Sequence, residues 1–310
     1  MFGKALVRDM INRSAENETD RRVFLKAAGV AGLGTVGAGA ATVLGAAPAN
    51  AAGRGPSDGA IFNFALNLEY LEAQFYSYAA YGKGLDGRLL SGKGDRGGVV
   101  GGHQVPFKTG AIAAMAREIA QDEIAHVKFL RKALGGAKVA QPNIDLKKSF
   151  TAAATAAGLI KPGQSFDPFA DEDSFLLGAF IFEDVGVTAY KGAAPLIDNK
   201  AFLGAAAGIL AVEAYHAGII RTRAYDKNLF DAVQAISDAR DSLDGKRNID
   251  QGIGTATRKF RSNLVPTNKN ALVYSRTPGQ VLNIVYLTPK SVKKGGFFPK
   301  GVNGALNTSS

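Results

Sequence analysis

Glu123-Ile124-Ala125-His126 and Glu213-Ala214-Tyr215-His216 are the two stretches on which the fold turns. In each, a carboxylate and an imidazole stand three residues apart, which on an α-helix puts them on one face. Two further glutamates, Glu69 and Glu183, each lie in an apolar stretch of their own with helical spacing. The series runs Glu, Glu-x-x-His, Glu, Glu-x-x-His. One carboxylate from each of two helices and a Glu-x-x-His pair from each of two others make the ligand set of a di-metal four-helix bundle. The chain has 9 glutamates and 3 histidines in 310 residues, so composition alone rarely produces this order.

Working outward, the 3.6-residue period predicts a helix around each ligand. Over Gly59 to Tyr81, after the N-caps Ser57 and Asp58, the residues Phe62, Leu66, Glu69, Ala73, Tyr76 and Ala80 recur at steps of three and four. Glu72, a turn beyond Glu69, partly shares that face, as a competing ligand or as a base beside the metals. A second helix follows Thr109 and stops at Gly135-Gly136. Within it Asp122 adjoins the ligand pair, where it can accept the free ring N–H of a facing histidine or simply be solvated. The third starts near Asp171-Glu172-Asp173 and carries Leu176, Ala179, Glu183, Val187 and Tyr190 on one stripe. The fourth takes Ala205 to about Tyr225, with Ile209, Glu213, His216 and Ile220 inward. Leu229 to Leu243 continues it or forms a fifth. Tyr76 and Tyr190 each follow a ligand glutamate by seven residues, placed to donate to the ligands, to act as redox-active neighbours, or to pack.

Between these helices lie two long connections. Residues 82–108 are glycine-rich without the Lys-Ser/Thr ending of a phosphate loop, and His103 there reads as a surface residue. Residues 137–171 hold Pro142, Pro162 and Pro168 around one short apolar patch, the pattern of a long crossover.

The absence of cysteine excludes disulfides, iron-sulfur clusters and thiol catalysis. The net charge of +10 is concentrated in residues 245–310, which hold eleven Lys/Arg and a single acid, Asp250. These bases are scattered among glycine, asparagine, threonine and apolar residues rather than gathered with aromatics, which disfavours nucleic acid as a partner. With a short helix opening at Thr277-Pro278, the segment reads as a basic arm docked on the bundle.

At the other end, Asp20-Arg21-Arg22-Val23-Phe24-Leu25-Lys26 precedes a weakly apolar Ala/Gly stretch and Ala49-Asn50-Ala51. This resembles a twin-arginine signal peptide over residues 1–51. The expectation is an exported protein handled by the twin-arginine machinery and resident in the periplasm or cell envelope.

Four carboxylates on apolar stripes are costly as bare charges, and two divalent ions neutralise them. Oxygen-rich ligation with one imidazole per metal suits two Fe or two Mn ions better than zinc or calcium. With Glu69 rather than Glu72 as the first-helix ligand, Glu69, Glu123 and His126 would hold one ion and Glu183, Glu213 and His216 the other, with Glu123 and Glu213 the candidate bridges.

The order of motifs resembles the ferritin-like superfamily, including rubrerythrins and bacterioferritins, in which the first helix pairs a ligand glutamate with a tyrosine seven residues on. That likeness selects Glu69 over Glu72. The wider sequence is similar to exported ferritin-like proteins labelled desiccation-related, through Asn67-Leu-Glu-Tyr-Leu-Glu-Ala, Phe182-Glu-Asp-Val-Gly-Val-Thr-Ala-Tyr190, Gly208-Ile-Leu-Ala-Val-Glu-Ala-Tyr-His-Ala-Gly218 and Arg276-Thr-Pro-Gly-Gln-Val-Leu. The resemblance implies an all-α ferritin-like four-helix bundle over residues 52–244, with residues 245–310 as the arm. It implies a di-iron or di-manganese centre used in iron oxidation, peroxide reduction or dismutation, or hydroxylation. The chain lacks the Cys-x-x-Cys module of rubrerythrins, so no electron donor is built in, and its long crossover and arm do not suit a storage cage. The expected function is an exported oxidoreductase acting on peroxide or O2 in oxidative or desiccation stress. The alternatives are a metal-sequestering or a structural protective protein, and a homo-oligomer is compatible with each.

Overall fold

The computed structural model describes residues 55–255 and 261–310; the signal-peptide reading falls on residues outside these. The described chain is mostly helical, with long irregular connections and little strand. Helix α1 (Asp58–Tyr81) is opened by Ser57, whose hydroxyl accepts from the Ala60 amide, and closed by Gly82 in the left-handed region at φ 68°. Helix α2 (Gly110–Leu134) ends at Gly135. Thr109 occupies its N-cap position, yet the capping oxygens come from across the bundle, because the Glu172 carboxylate accepts from the amides of Lys108 and Thr109 and from the Thr109 hydroxyl.

Helix α3 (Lys148–Ala156) lies within the crossover. Helix α4 (Glu172–Ala193) is capped by Asp171, which accepts from the Ser174 amide at 2.8 Å. Helix α5 (Lys200–Asp226) begins five residues earlier than the sequence period indicates, because Asn199 accepts from the amides of Ala201 and Phe202 and so fixes the start. Helix α6 (Phe230–Asp244) is separate from α5, and α7 (Pro278–Val285) opens with a full Thr277/Gln280 capping box.

The bundle consists of two closely packed helix pairs, α1 with α2 and α4 with α5. The two connections brace each other: Val99–Val100 of the first runs parallel to Ile144–Asp145 of the crossover, Val99 opposite Ile144.

One core serves bundle, crossover and arm. Phe75 of α1 and Phe182 of α4 meet Phe150 of α3, and Phe297 of the arm closes the cluster, 4.9 Å from Phe182 and 5.0 Å from Phe150 between ring centroids. Rings at these separations with tilted or edge-on planes gain beyond their buried area.

The arm is further fixed by charge. Arg221, Arg240 and Arg276 interlock with Asp184, Asp244 and Asp250 in a neutral, buried network. Arg276 also donates to the Thr188 hydroxyl of α4, and Arg221 donates to the carbonyls of Gln251 and Gly252. At the far end Asn303 and Asn67 exchange two bonds of 2.8 and 3.0 Å, tying the arm to α1. The arm is thus partly core, and its basic excess is not all solvated: Arg276 is fully buried.

Candidate metal centre

Each ligand is delivered by a helix whose apolar face is already committed to the core, so its inward position follows from the hydrophobic period. Glu69 comes from α1, Glu123 and His126 from α2, Glu183 from α4, and Glu213 and His216 from α5; all six are buried.

Their atoms form two groups. In the first, single ligand atoms of Glu69, Glu123, His126 and Glu213 lie within 4.8 Å of one another, and in the second those of Glu123, Glu183 and His216 do. Glu123 is the shared member. Glu213 falls with the first group, not with His216 on its own helix. Glu123 is thus the one residue common to both groups, and Glu213 has no equivalent position in the second.

The geometry at the centre is one of close approach without hydrogen bonding. His126 Nδ1 is 3.2 Å from Glu69 Oε2 and 3.6 Å from Glu123 Oε2, and His216 Nδ1 is 3.1 Å from Glu123 Oε1 and 3.6 Å from Glu183 Oε2. None of these atoms has a hydrogen-bond partner. Of the thirteen buried side-chain N and O atoms without a partner among the described residues, eight belong to this cluster: both oxygens of Glu123 and of Glu213, one each of Glu69 and Glu183, and both Nδ1 atoms. An orphaned buried polar atom costs about 1–3 kcal/mol, more when charged. Eight converging on one spot form a donor set that fits a pair of divalent ions.

The outer atoms are held in place. Tyr76 donates to Glu183 Oε1 and Tyr190 donates to Glu69 Oε1, each leaving Oε2 turned inward. His216 Nε2 meets Asp122 Oδ2 at 3.2 Å, which orients the ring and turns Nδ1 to the centre. Asp122 is itself half-exposed.

Electrostatics report the crowding. Burial raises the Glu69 carboxyl to about 7 and that of Glu183 to about 8. Burial alone would lower both histidines, but the carboxylates of Glu69 and Glu123 raise His126 to about 11, and those of Glu183 and Glu123 raise His216 to about 9. Burial would raise Glu123 as well, yet the two imidazoles beside it hold it well below the usual carboxylate range.

Glu72 belongs to neither group, but it is buried nearby and its carboxyl is raised well above the usual range by burial and by Glu123, Glu69 and Glu183. It borders a cavity of about 20 Å³ walled by Phe182, Gly186 and, from the arm, Ile284, Val285 and Phe297. Gly186 is the gap in that wall: a Cβ there would lie 2.3 Å from Glu213 Oε2 and 3.4 Å from Glu72 Oε1. His103 stands apart, exposed and paired with Asp167 at 2.9 Å. Ile284 and Val285 belong to the apolar stretch that marks the arm as docked, whereas Phe297 had no signal in the sequence, since it lies far along the chain from any ligand; the glycine at 186 in an otherwise good helix was the readable sign of a close approach.

The comparisons agree with the geometry. The chain is 31% identical over 269 residues to the desiccation-related protein PCC13-62 of Craterostigma plantagineum, covering 80% of this chain and 83% of that protein. It is 28% identical over 268 residues to the ferritin-like catalase Nec2 of Nesocodon mauritianus, covering 79% and 83%. No solved structure matches at a significant level. The family model described as a ferritin-like domain matches residues 57–226, from the N-cap of α1 to the end of α5 and so through every ligand. This chain belongs to the ferritin-like family.

Proposed function

We propose that this protein is an exported di-iron or di-manganese oxidoreductase that disproportionates hydrogen peroxide. The observation that carries the reading is the convergence of eight partnerless buried ligand atoms from four helices. The similarity to a relative named a ferritin-like catalase supports peroxide as the substrate. So does the absence of cysteine, because no thiolate-held electron donor resides in the chain. Disproportionation needs none: one peroxide takes up two electrons and two protons to give two waters, and a second gives up the same to leave O2. The arginine pair and small-residue site before residue 52 support export by the twin-arginine route to the periplasm or envelope.

A bound Fe or Mn pair supplies the two-electron redox change. The protein's own part is positional. Glu123 lies between the two ligand groups, Tyr76 and Tyr190 fix Glu183 and Glu69, and Asp122 sets the His216 ring. The buried setting limits water, and the small cavity beside Glu72 suits a molecule of peroxide size.

A second reading, a metal-holding protective protein with little turnover, draws support from the relative named desiccation-related. One experiment separates them. Elemental analysis and O2 evolution from peroxide, without reductant, are measured on the wild type and on a Glu123→Ala, His126→Ala variant. About two Fe or Mn per chain with O2 evolution, both lost in the variant, supports the catalase reading. Bound metal without O2 evolution favours the protective one, and a metal-free wild type overturns both.

A further inference from the structure

Helix α5 turns Glu213 and His216 inward, and among the described residues nothing covers its opposite face. Gly204, Ala207, Gly208, Ala211, Ala214 and Tyr215 are exposed along it, and Tyr215 (73%) and Ile219 (38%) stand out as large apolar residues in solvent. Between Lys200 and Arg221 the only charged residues are the two inward ligands. A monomer surface seldom presents a helix face of this length without charge.

We propose that this face is the two-fold interface of a homodimer, formed by α5 against α5 of a second copy in antiparallel register. The spacing is self-complementary. With the axis between Ala211 and Val212, Tyr215 of one copy falls opposite Gly208 of the other, and Ile219 opposite Gly204. Both glycines are open, since a Cβ at either would meet nothing within 4 Å. Two-fold symmetry makes each large-into-small contact twice, as an isologous interface requires. The glycines and alanines at the centre let the two backbones approach closely.

The exposed stretch from Gly204 to Ile219 rises about 22 Å and forms the centre of the contact. Val265, 70% exposed and bordering the same hollow as Ala214 and Gly218, extends the patch beyond the helix, toward the roughly 1,000 Å² total that a specific interface needs. A lipid surface is the poorer occupant. Although α5 is long and apolar enough by length and composition to cross a membrane, its inner face is committed to the bundle. Its outer face carries only two large apolar side chains, which gives little insertion energy against much backbone contact.

The test uses the purified protein. Sedimentation equilibrium at micromolar concentration is expected to give twice the chain mass for the wild type, and the single-chain mass for Gly208→Arg and Tyr215→Glu, with unchanged circular dichroism. The chain has no cysteine, so Ala211→Cys, beside the axis, is expected to form a disulfide-linked dimer on mild oxidation, whereas Glu118→Cys, exposed on α2, is not. A monomeric wild type, a dimer that survives both substitutions, or equal cross-linking at 118 and 211 overturns the proposal. So does a monomer that floats with anionic lipid vesicles through Tyr215, which would assign the face to a membrane surface.

Discussion

Tyr190 donates its hydroxyl to Glu69, while Tyr76, seven residues after Glu69 on α1, donates to Glu183, seven residues before Tyr190 on α4. Each tyrosine therefore secures the ligand of the other helix, and α1 and α4 are stapled reciprocally at the floor of the centre. Replacing either by phenylalanine removes one bond to a carboxylate, worth about 1.5–3 kcal/mol. Tyr76→Phe and Tyr190→Phe are each expected to keep the metal content and lower thermal stability by that order. The double variant is expected to lose more metal than the two singles together, read by elemental analysis and thermal denaturation.

Gly186→Ala carries a methyl into the space of Glu213 Oε2, 2.3 Å away. Real Cβ contacts do not reach that distance, so the carboxylate must swing away from the first ligand group. Metal affinity is expected to fall by at least about tenfold, as when a supporting contact is lost. Competition with a chelator measures it; unchanged affinity would mean that Glu213 is not a ligand.

Asp122→Asn keeps the shape beside His216 Nε2 but removes the negative charge. A loss of about 10–100-fold in metal affinity is expected, with the fold intact by circular dichroism. Glu123→Gln, at the member shared by both groups, is expected to abolish stoichiometric loading.

The metal-free protein is expected to lose stability as pH rises. Glu69 and Glu183, raised to about 7 and 8 from 4.5, favour the fold below pH 4.5, and that contribution disappears as pH passes through their raised values. His126 and His216, raised from 6.5 to about 11 and 9, contribute fully below pH 6.5 and lose it through 9 and 11. The folded cluster binds more protons than the unfolded chain, so the slope of stability against pH is negative from about 5 to 9. Glu123 runs the other way, and only at acid pH, since its depressed carboxyl adds stability above 4.5. Metal needs deprotonated carboxylates and neutral imidazoles. Loading should therefore release protons, tighten with rising pH and abolish the negative slope; calorimetry in buffers of different ionisation enthalpy reads the first, and melting curves with and without metal read the last.

Arg276 is fully buried between Asp244 and Asp250. Arg276→Ala leaves two buried carboxylates without that partner, for which about 3–5 kcal/mol is the expected loss. Limited proteolysis is expected to cut the arm first, ahead of the bundle.

The bundle and the residues gathered at its centre were legible because each depends on local spacing. Glu-x-x-His, the helical stripes and the caps at Ser57 and Asp171 are short-range patterns, and the geometry repeats them. What the spacing left open was everything set by tertiary approach. Which group Glu213 joins depends on how α5 lies against α4, a relation no local pattern encodes. The Arg221, Arg240 and Arg276 network pairs residues from α4, α5, α6 and the arm, so in sequence its members read as scattered charges. The arm's aromatic anchor Phe297 stands among lysines and glycines with no local period to mark it, because burial there is conferred by Phe150 and Phe182 from distant segments.

Phe297 has a consequence for the order in which the protein is made. All six ligands have been synthesised once residue 216 is added, whereas the wall beside Glu72 awaits Ile284, Val285 and Phe297. During that interval of translation the ligands exist but the wall on that side is incomplete. A chain ending before residue 276 would carry every ligand without Arg276 or those three side chains, so its metal retention, set against that of the full chain, measures what the arm contributes to holding ions.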